Sequence, residues 1–301
     1  MASRFRGVFP AVTTHMKRDQ SVDLDATARH IEVLIESGVQ GLVMLGSLGE
    51  NTALDPGEKR SVMETAIAVA RGRVPVLSGV AECSTAGAVR YARQMESIGA
   101  NGLMLLPAMV YKSDPAETIT HFRAVAKATS LPIICYNNPL AYGVDITPEM
   151  FAELADQETL VAIKESSGNV RRITDIINLV GDRYTLMTGV DDLALESIML
   201  GAEGWIAGVG LAFPRENQYL WELADSGQWE KARALYRWYM PLLHLDIPIK
   251  FVQYIKLLIQ ECGLGEEWVR APRLPIEGAE REAVLKIIRQ GIATRPTVPA
   301  K

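Results

Sequence analysis

A lysine at the end of a short apolar run is the residue of this sequence best suited to covalent chemistry. Lys164 closes the run 161–164, with the letters VAIK, and the polar stretch 165–168 follows it. Burial favours a neutral amine over an ammonium ion, and a neutral amine can attack a carbonyl or imine carbon to form a Schiff base. A second reading stays open, in which Lys164 extends to solvent or pairs with a glutamate inside the fold.

A tyrosine ends the apolar run that precedes this lysine. Tyr136 lies in the stretch 135–139, Cys-Tyr-Asn-Asn-Pro. If the two runs are neighbouring strands, its phenol stands beside Lys164. Schiff-base formation requires a proton for the departing hydroxyl, and later steps move a proton at the adjacent carbon, so a positioned phenol could serve both. The alternative is an aromatic side chain that only fills the core.

A glycine-flanked turn is the third candidate feature. The stretch 46–51 reads Gly-Ser-Leu-Gly-Glu-Asn. Two glycines allow a tight turn whose backbone N–H groups, together with the Ser47 hydroxyl, would form a cradle for a carboxylate. We expect Glu50 to be a buried hydrogen-bond anchor rather than a catalytic residue.

Eight short apolar runs recur along the chain and provide the elements that position these residues. Continuous apolar runs are typical of strands buried on both faces, as in a parallel sheet covered by helices. The runs begin near Gly7, Gly41, Val74, Gly102, Pro132, Val161, Tyr184 and Gly204.

Helix signals follow these runs. Asp55-Pro56 and Asp114-Pro115 each supply an N-cap and a proline at the first helical position, and amphipathic patterns cover 24–37 and 84–99. Eight strand–helix units predict an α/β fold, a TIM (β/α)8 barrel. An open doubly wound sheet is disfavoured, because the first strand–helix turn lacks the GxGxxG phosphate-binding pattern.

Only helical patterns follow the eighth unit, at 229–243, 248–262 and 279–289. The sequence therefore predicts a barrel over 1–224 and a C-terminal helical appendage over 225–301, packed on the barrel as one structural domain. In such barrels the active site lies at the carboxyl ends of the strands.

Composition narrows the classes of partner. The 301 residues carry a net charge of −5 with scattered Lys and Arg, which disfavours nucleic acid. No apolar run approaches the roughly 18 residues of a membrane span, and the first residues lack an apolar signal core, so we expect a cytoplasmic protein without membrane contact.

Three cysteines (Cys83, Cys135 and Cys262) have no CxxC spacing and are expected to be free thiols. Neither a metal nor an organic cofactor is expected.

Together these features resemble the dihydrodipicolinate synthase/N-acetylneuraminate lyase family of class I, Schiff-base-forming enzymes. The resemblance covers about 7–289 and is carried by the GxxGE turn, the Tyr-Asn-x-Pro stretch and the Lys-Glu-Ser-Ser strand end. It implies that Lys164 is the Schiff-base lysine and Tyr136 the proton-relay tyrosine. It also implies that Ser47 and the Leu48 N–H bind the carboxylate of a small substrate.

The resemblance has further implications for assembly and binding. It implies backbone contacts to substrate near Ile206. It also implies a homotetramer built as a dimer of dimers, with a tyrosine from the loop after strand 4 reaching a neighbour's site; Tyr111 is the candidate here.

Two departures from the synthase pattern bear on the reaction. Leu48 stands where synthases have a second threonine, and Ala141 stands where their YNxPxR pattern has an arginine for the second substrate's carboxylate. Loss of a charged, bidentate partner should cost several kcal/mol of carboxylate recognition. The resemblance is therefore closer to the dehydratase and deaminase branch, in particular to 1-pyrroline-4-hydroxy-2-carboxylate deaminases of hydroxyproline catabolism. Tyr142, Asp191 and Asp192 are expected to line the distal pocket, although Asp192 could equally be the N-cap of the helix that follows.

Several functions stay open at this point. The first is deamination and dehydration of 1-pyrroline-4-hydroxy-2-carboxylate to 2-oxoglutarate semialdehyde. The second is a pyruvate-dependent aldolase of a 2-keto-3-deoxy sugar acid, or a condensation like that of dihydrodipicolinate synthase. A non-catalytic sensor of small acids is the third, and the intact set of Ser47, Tyr136 and Lys164 argues against it.

Overall fold

Eight short parallel strands form the centre of the computed structural model, which describes residues 5–299. Neighbouring strands pair in the order β1-β8-β7-β6-β5-β4-β3-β2. A parallel bridge between Ala11 and Val43 joins the chain after β1 to β2 and closes the barrel. The predicted (β/α)8 barrel is confirmed. The strands are β1 (Gly7–Val8), β2 (Leu42–Met44), β3 (Val76–Val80), β4 (Gly102–Leu105), β5 (Ile133–Asn137), β6 (Leu160–Glu165), β7 (Thr185–Thr188) and β8 (Gly204–Trp205).

The strands are short and almost entirely buried, which explains their continuous apolar runs. Of all their residues, only Val161 in β6 is partly exposed. Several buried polar residues, among them Asn137, Lys164 and Thr188, lie at the carboxyl ends of their strands. These polar groups therefore face one mouth of the barrel.

Twelve α-helices are present across residues 5–299. Capping boxes start α2 and α4, where Asp55 and Asp114 each accept a hydrogen bond from the backbone of the glutamate three residues later. The helices are α1 (Leu24–Glu36), α2 (Pro56–Ala70), α3 (Thr85–Ser97), α4 (Pro115–Ala126), α5 (Pro139–Tyr142), α6 (Pro148–Glu153), α7 (Arg171–Val180), α8 (Ala194–Met199), α9 (Pro214–Asp225), α10 (Trp229–Leu243), α11 (Phe251–Glu261) and α12 (Gly278–Ala293).

The last three helices, α10 to α12, form the predicted C-terminal appendage. They bury apolar side chains in the same continuous core as the barrel, among them Tyr239, Ile255 and Ile288. The preceding helix, α9, ends at Asp225, beside the expected boundary. The division into 1–224 and 225–301 stays a prediction, and residues 1–4, 300 and 301 of those bounds lie outside the described residues.

Three smaller findings bear on the sequence-based expectations. In the part of the chain that the structure describes, no helix is long and apolar enough to cross a membrane. All three cysteines are unpaired, as predicted. Within the same residues, no group of three or more His, Cys, Asp and Glu side chains is arranged to hold a metal ion.

Candidate active site

A cavity of about 600 Å³ opens at the carboxyl ends of the barrel strands. Barrel loops supply most of its wall, and the appendage supplies the remainder. The candidate residues that line it are Ser47, Leu48, Tyr136, Ala141, Tyr142, Lys164 and Ile206. The fold therefore brings most of the predicted site residues together.

Lys164 is buried at the base of this cavity. Its side chain is 6% exposed, and Nζ lies 4.0 Å from the centre of the Tyr136 ring. Strand pairing causes this proximity, because Lys164 and Tyr136 are register partners in β6 and β5. Burial lowers the pKa of the lysine, while Tyr142, Asp246 and Asp191 oppose that shift. The environment therefore raises the fraction of neutral amine, the form that attacks a carbonyl or imine carbon.

A glycine makes room for the lysine on the neighbouring strand end. A Cβ atom at Gly189 would lie 2.2 Å from both the Lys164 Cε and the Ser166 Oγ. No side chain fits there without displacing them. This packing holds the aliphatic part of Lys164 in place and puts the Ser166 hydroxyl beside it.

The phenol of Tyr136 is buried in the same wall. It accepts a hydrogen bond of 3.1 Å from the Asn138 side-chain amide, and its ring meets that of Tyr142 edge-on at 5.6 Å. Burial raises the pKa of Tyr136. The phenol therefore stays protonated and can donate a proton to a departing group.

The glycine-flanked turn is rigid. Leu45 and Glu50 both have left-handed φ angles, of 56° and 54°. The Asn51 side-chain amide donates to the Leu45 carbonyl at 2.8 Å, and Thr14 Oγ1 donates to the Gly49 carbonyl at 2.7 Å. These bonds hold a conformation that L-residues rarely adopt. The turn is thus shaped before any ligand binds.

The Ser47 hydroxyl of this turn points across the cavity, where it forms a hydrogen bond with the phenol of Tyr142. Burial raises the pKa of Tyr142 well above its ordinary value. Tyr142 was expected to line the distal pocket. It does line the cavity, and its phenol contacts Ser47 of the predicted carboxylate cradle.

The expected position of Asp191 needs a correction. This aspartate is fully buried and is not part of the cavity wall. Its carboxylate accepts hydrogen bonds from the Trp205 indole at 2.8 Å and from the backbone N–H groups of Gly208 and Val209 at 3.0 and 2.7 Å. It holds the chain after β8 in place behind the cavity, and its pKa is raised to about 6, chiefly by burial. Its neighbour Asp192, which was expected in the same pocket, does line the cavity wall.

Two charged residues of the wall were missed by sequence reasoning. Asp246 comes from the connection between α10 and α11, and Arg273 comes from the segment after α11. The Arg273 guanidinium lies 3.6 Å from the Glu50 carboxylate. Both lie in stretches that carry no motif, so only the folding of the appendage over the barrel mouth identifies them.

Tyr111 lies away from the cavity of its own chain. Its side chain is 60% exposed, and its hydroxyl donates to the Glu117 carboxylate at 3.0 Å. Its predicted role in a neighbour's site stays a prediction.

Comparison with known proteins matches the chain to a single family. The model of the dihydrodipicolinate synthetase family matches residues 4–291. The 4-hydroxy-tetrahydrodipicolinate synthase of Methanospirillum hungatei is 35% identical over 255 residues, which cover 82% of this chain and 87% of that protein.

Solved structures agree in fold. The 4-hydroxy-tetrahydrodipicolinate synthase from Methylacidiphilum fumariolicum SolV matches with a TM-score of 0.92 at 27% identity, covering 96% of this chain and 97% of that one. A prophage protein of the dihydrodipicolinic acid synthase family from E. coli K12, solved in complex with pyruvate, matches with a TM-score of 0.90 at 28% identity, covering 96% and 99%.

Proposed function

The chain belongs to the dihydrodipicolinate synthetase family of class I Schiff-base lyases, and from this premise we propose that it deaminates 1-pyrroline-4-hydroxy-2-carboxylate. The product would be 2-oxoglutarate semialdehyde, with release of ammonia. In this proposal Lys164 forms the Schiff base, Tyr136 relays protons, and Ser47 with the Leu48 N–H binds the carboxylate.

The choice of this reaction over a condensation rests on the residues that line the cavity around position 141. Ala141 lines the wall where the synthase pattern has an arginine. The wall guanidinium that is present, Arg273, already faces Glu50, and the wall also carries the carboxyl groups of Asp192 and Asp246. The described part of this wall offers the carboxylate of a second substrate no free guanidinium to bind. A substrate with one carboxylate and a hydroxyl suits it better.

The proposed chemistry is consistent with this cavity. The amine of Lys164 adds to C2 of the cyclic imine, the ring C2–N bond breaks so that the ring nitrogen becomes a primary amine, and the resulting iminium makes the C3 proton acidic. Loss of that proton and of the C4 hydroxyl is a dehydration. Hydrolysis then frees the lysine and releases ammonia, with one water consumed over the whole reaction.

An ammonia assay with synthetic 1-pyrroline-4-hydroxy-2-carboxylate tests the proposal. We expect stoichiometric ammonia and semialdehyde, and borohydride added during turnover should attach the substrate skeleton to Lys164, as read by peptide mass spectrometry. Pyruvate released from 2-keto-3-deoxy sugar acids without any ammonia from the pyrroline would assign an aldolase instead.

A condensation like that of dihydrodipicolinate synthase is the second candidate, because the similar curated proteins carry the name 4-hydroxy-tetrahydrodipicolinate synthase. Activity of the native chain with pyruvate and aspartate semialdehyde, at a rate above its ammonia release, would favour it. If Ala141 is the reason for low condensation activity, Ala141→Arg should raise kcat/KM for aspartate semialdehyde about tenfold or more, the effect of one charge-assisted hydrogen bond. The matched control is Ala141→Leu, which adds bulk without charge.

A further inference from the structure

Asp246 brings a carboxyl group from the appendage to the mouth of the barrel. It ends the short 3₁₀ turn His244–Asp246 between α10 and α11. It lines the same cavity as Lys164 and Ser166. One acidic group of the candidate site thus comes from outside the barrel.

The carboxyl of Asp246 has free lone pairs, unlike those of the two other aspartates near Lys164. In the described part of the chain, no donor makes a hydrogen bond or ion pair with it. By contrast, Asp191 accepts hydrogen bonds from an indole and two backbone amides, and Asp192 pairs with His244 at 2.8 Å. Of the three, Asp246 is the one with no donor among the described residues on either carboxyl oxygen, so both oxygens are open to a ligand.

A glycine leaves the space that this carboxyl occupies. A Cβ atom at Gly208 would lie 2.6 Å from Oδ1 of Asp246 and 3.1 Å from Cδ1 of Leu48. The carboxyl therefore lies close to the side chain of residue 48. There the synthase pattern has a threonine hydroxyl, and this chain has a methyl group. Asp246 restores a polar, proton-carrying group to that side of the cavity.

The electrostatic setting suits proton transfer. Burial and the neighbouring Asp191 raise the pKa of Asp246 well above its ordinary value, while Lys164 opposes the shift. A carboxylate whose pKa is raised in this way is a stronger proton acceptor than an ordinary aspartate. Tyr136 differs, because burial raises the pKa of its phenol and keeps it protonated. The phenol can donate its proton, and it can accept another only after its own has been passed on.

We propose that Asp246 is the catalytic residue that moves the proton at the carbon next to the Schiff-base carbon. This role rests on the Schiff base proposed at Lys164. In the iminium, the C3–H bond breaks, its electron pair forms the C2=C3 bond as the C2=N pair moves to nitrogen, and the proton passes to Asp246. In a 4-hydroxylated substrate the enamine then expels the C4 oxygen, which takes the same proton and leaves as water. The proton gained equals the proton returned.

Pyruvate, the simplest 2-oxo acid, tests this step without reference to the physiological substrate. The full chain is incubated with pyruvate in D2O. NMR follows loss of the methyl protons, and borohydride trapping with mass spectrometry follows the Schiff base. We expect Asp246→Asn to keep trapping and the wild-type Tm, but to exchange methyl protons roughly 100-fold more slowly, the lower range of a lost acid–base catalyst.

The matched control is Asp182→Asn. Asp182 is exposed in the turn between α7 and β7, at the opposite end of the barrel from the cavity. We expect it to trap and exchange like the wild type. Asp246→Glu, which retains the carboxyl, should recover part of the exchange rate.

Each other outcome overturns the role of Asp246. Wild-type exchange by Asp246→Asn would remove Asp246 from the proton transfer and leave the Schiff base untouched. Trapping without exchange in the wild type, or loss of trapping in Asp246→Asn, would also contradict the proposed step. Absence of trapping in the wild type would reject the proposed function itself, and the role of Asp246 with it.

Discussion

At the scale of single residues, the pKa of Lys164 reflects two opposing effects, burial and the nearby acidic groups. Burial lowers the pKa of the lysine, and Tyr142, Asp246 and Asp191 raise it, with burial the larger effect. A lysine on a solvated surface has a pKa of about 10.4 and is almost wholly protonated at neutral pH. The cavity therefore increases the fraction of nucleophilic amine under ordinary conditions.

This balance predicts a pH dependence for Schiff-base formation. Because the folded pKa of Lys164 lies below its ordinary value, the fraction of neutral amine rises with pH and saturates earlier than for an exposed lysine. The initial rate of borohydride trapping with pyruvate should rise with pH and level off at a midpoint below about 10.4. A midpoint at the ordinary lysine value would contradict this explanation.

Replacing Lys164 should affect catalysis and folding stability differently. We expect Lys164→Met to abolish trapping and turnover while its Tm at neutral pH stays at or above that of the wild type, because the variant no longer buries an ionisable amine. Lys127→Met, at an exposed position after α4, is the control and should leave both trapping and Tm unchanged. Residual labelling of Lys164→Met at another lysine would show that the nucleophile had been assigned wrongly.

At the scale of elements, a buried ion pair connects the appendage to the turn after β2. Lys256 of α11 and Glu50 both have fully buried side chains, with Nζ and Oε1 2.5 Å apart. Lys256 also donates to the Trp268 carbonyl at 2.8 Å, and the Arg270 N–H donates to Glu50 at 3.0 Å. The turn that bears Ser47 is therefore held in shape by the C-terminal helices.

Removing one partner of this ion pair should lower the free energy of unfolding. Lys256→Met leaves the Glu50 carboxylate buried with weaker partners, so the free energy of unfolding should fall by about 3–5 kcal/mol. The double variant Glu50→Gln/Lys256→Met should recover part of the loss, because no unpaired charge stays buried. Urea unfolding followed by circular dichroism measures both.

An exposed pair in the same appendage provides the control. Lys250 and Glu280 form an ion pair whose side chains are 48% and 35% exposed. Lys250→Met should cost less than about 1 kcal/mol. Equal losses for Lys256→Met and Lys250→Met would mean that burial does not set the energy of the Glu50 pair.

At the scale of the whole molecule, two surfaces outside the cavity bear on assembly. Members of the family are commonly oligomeric. The exposed Tyr111 lies on the loop after β4, next to the 92% exposed Val110. Further exposed apolar side chains lie on α7 and at the end of α8, namely Ile177, Leu179, Met199 and Leu200. We propose that the chain forms a homotetramer, that these surfaces are among its contacts, and that Tyr111 serves a neighbour's site.

Subunit complementation tests the role of Tyr111. Lys164→Ala and Tyr111→Ala should each be nearly inactive alone. After the two are mixed, unfolded and refolded together, half of the random dimers pair unlike subunits and contain one complete site, so roughly a quarter of the wild-type activity should return. If the mixture stays as inactive as the separate variants, or if Tyr111→Ala alone retains full activity, Tyr111 does not act across subunits.

The sequence by itself determined the barrel, its eight strands, the appendage and the expectation that Lys164, Tyr136 and Ser47 share one mouth. It could do so because apolar runs and helix caps report local burial and local backbone geometry, and because parallel strands bring their carboxyl ends together.

Only the tertiary structure decided which way side chains turn at strand ends. The Asp191 carboxylate binds the backbone after β8, and the Tyr142 phenol binds Ser47. The tertiary structure also decided which distant segments cover the mouth, and so placed Asp246 and Arg273 in the wall. These placements depend on packing between residues far apart along the chain, for which no periodicity or short motif exists.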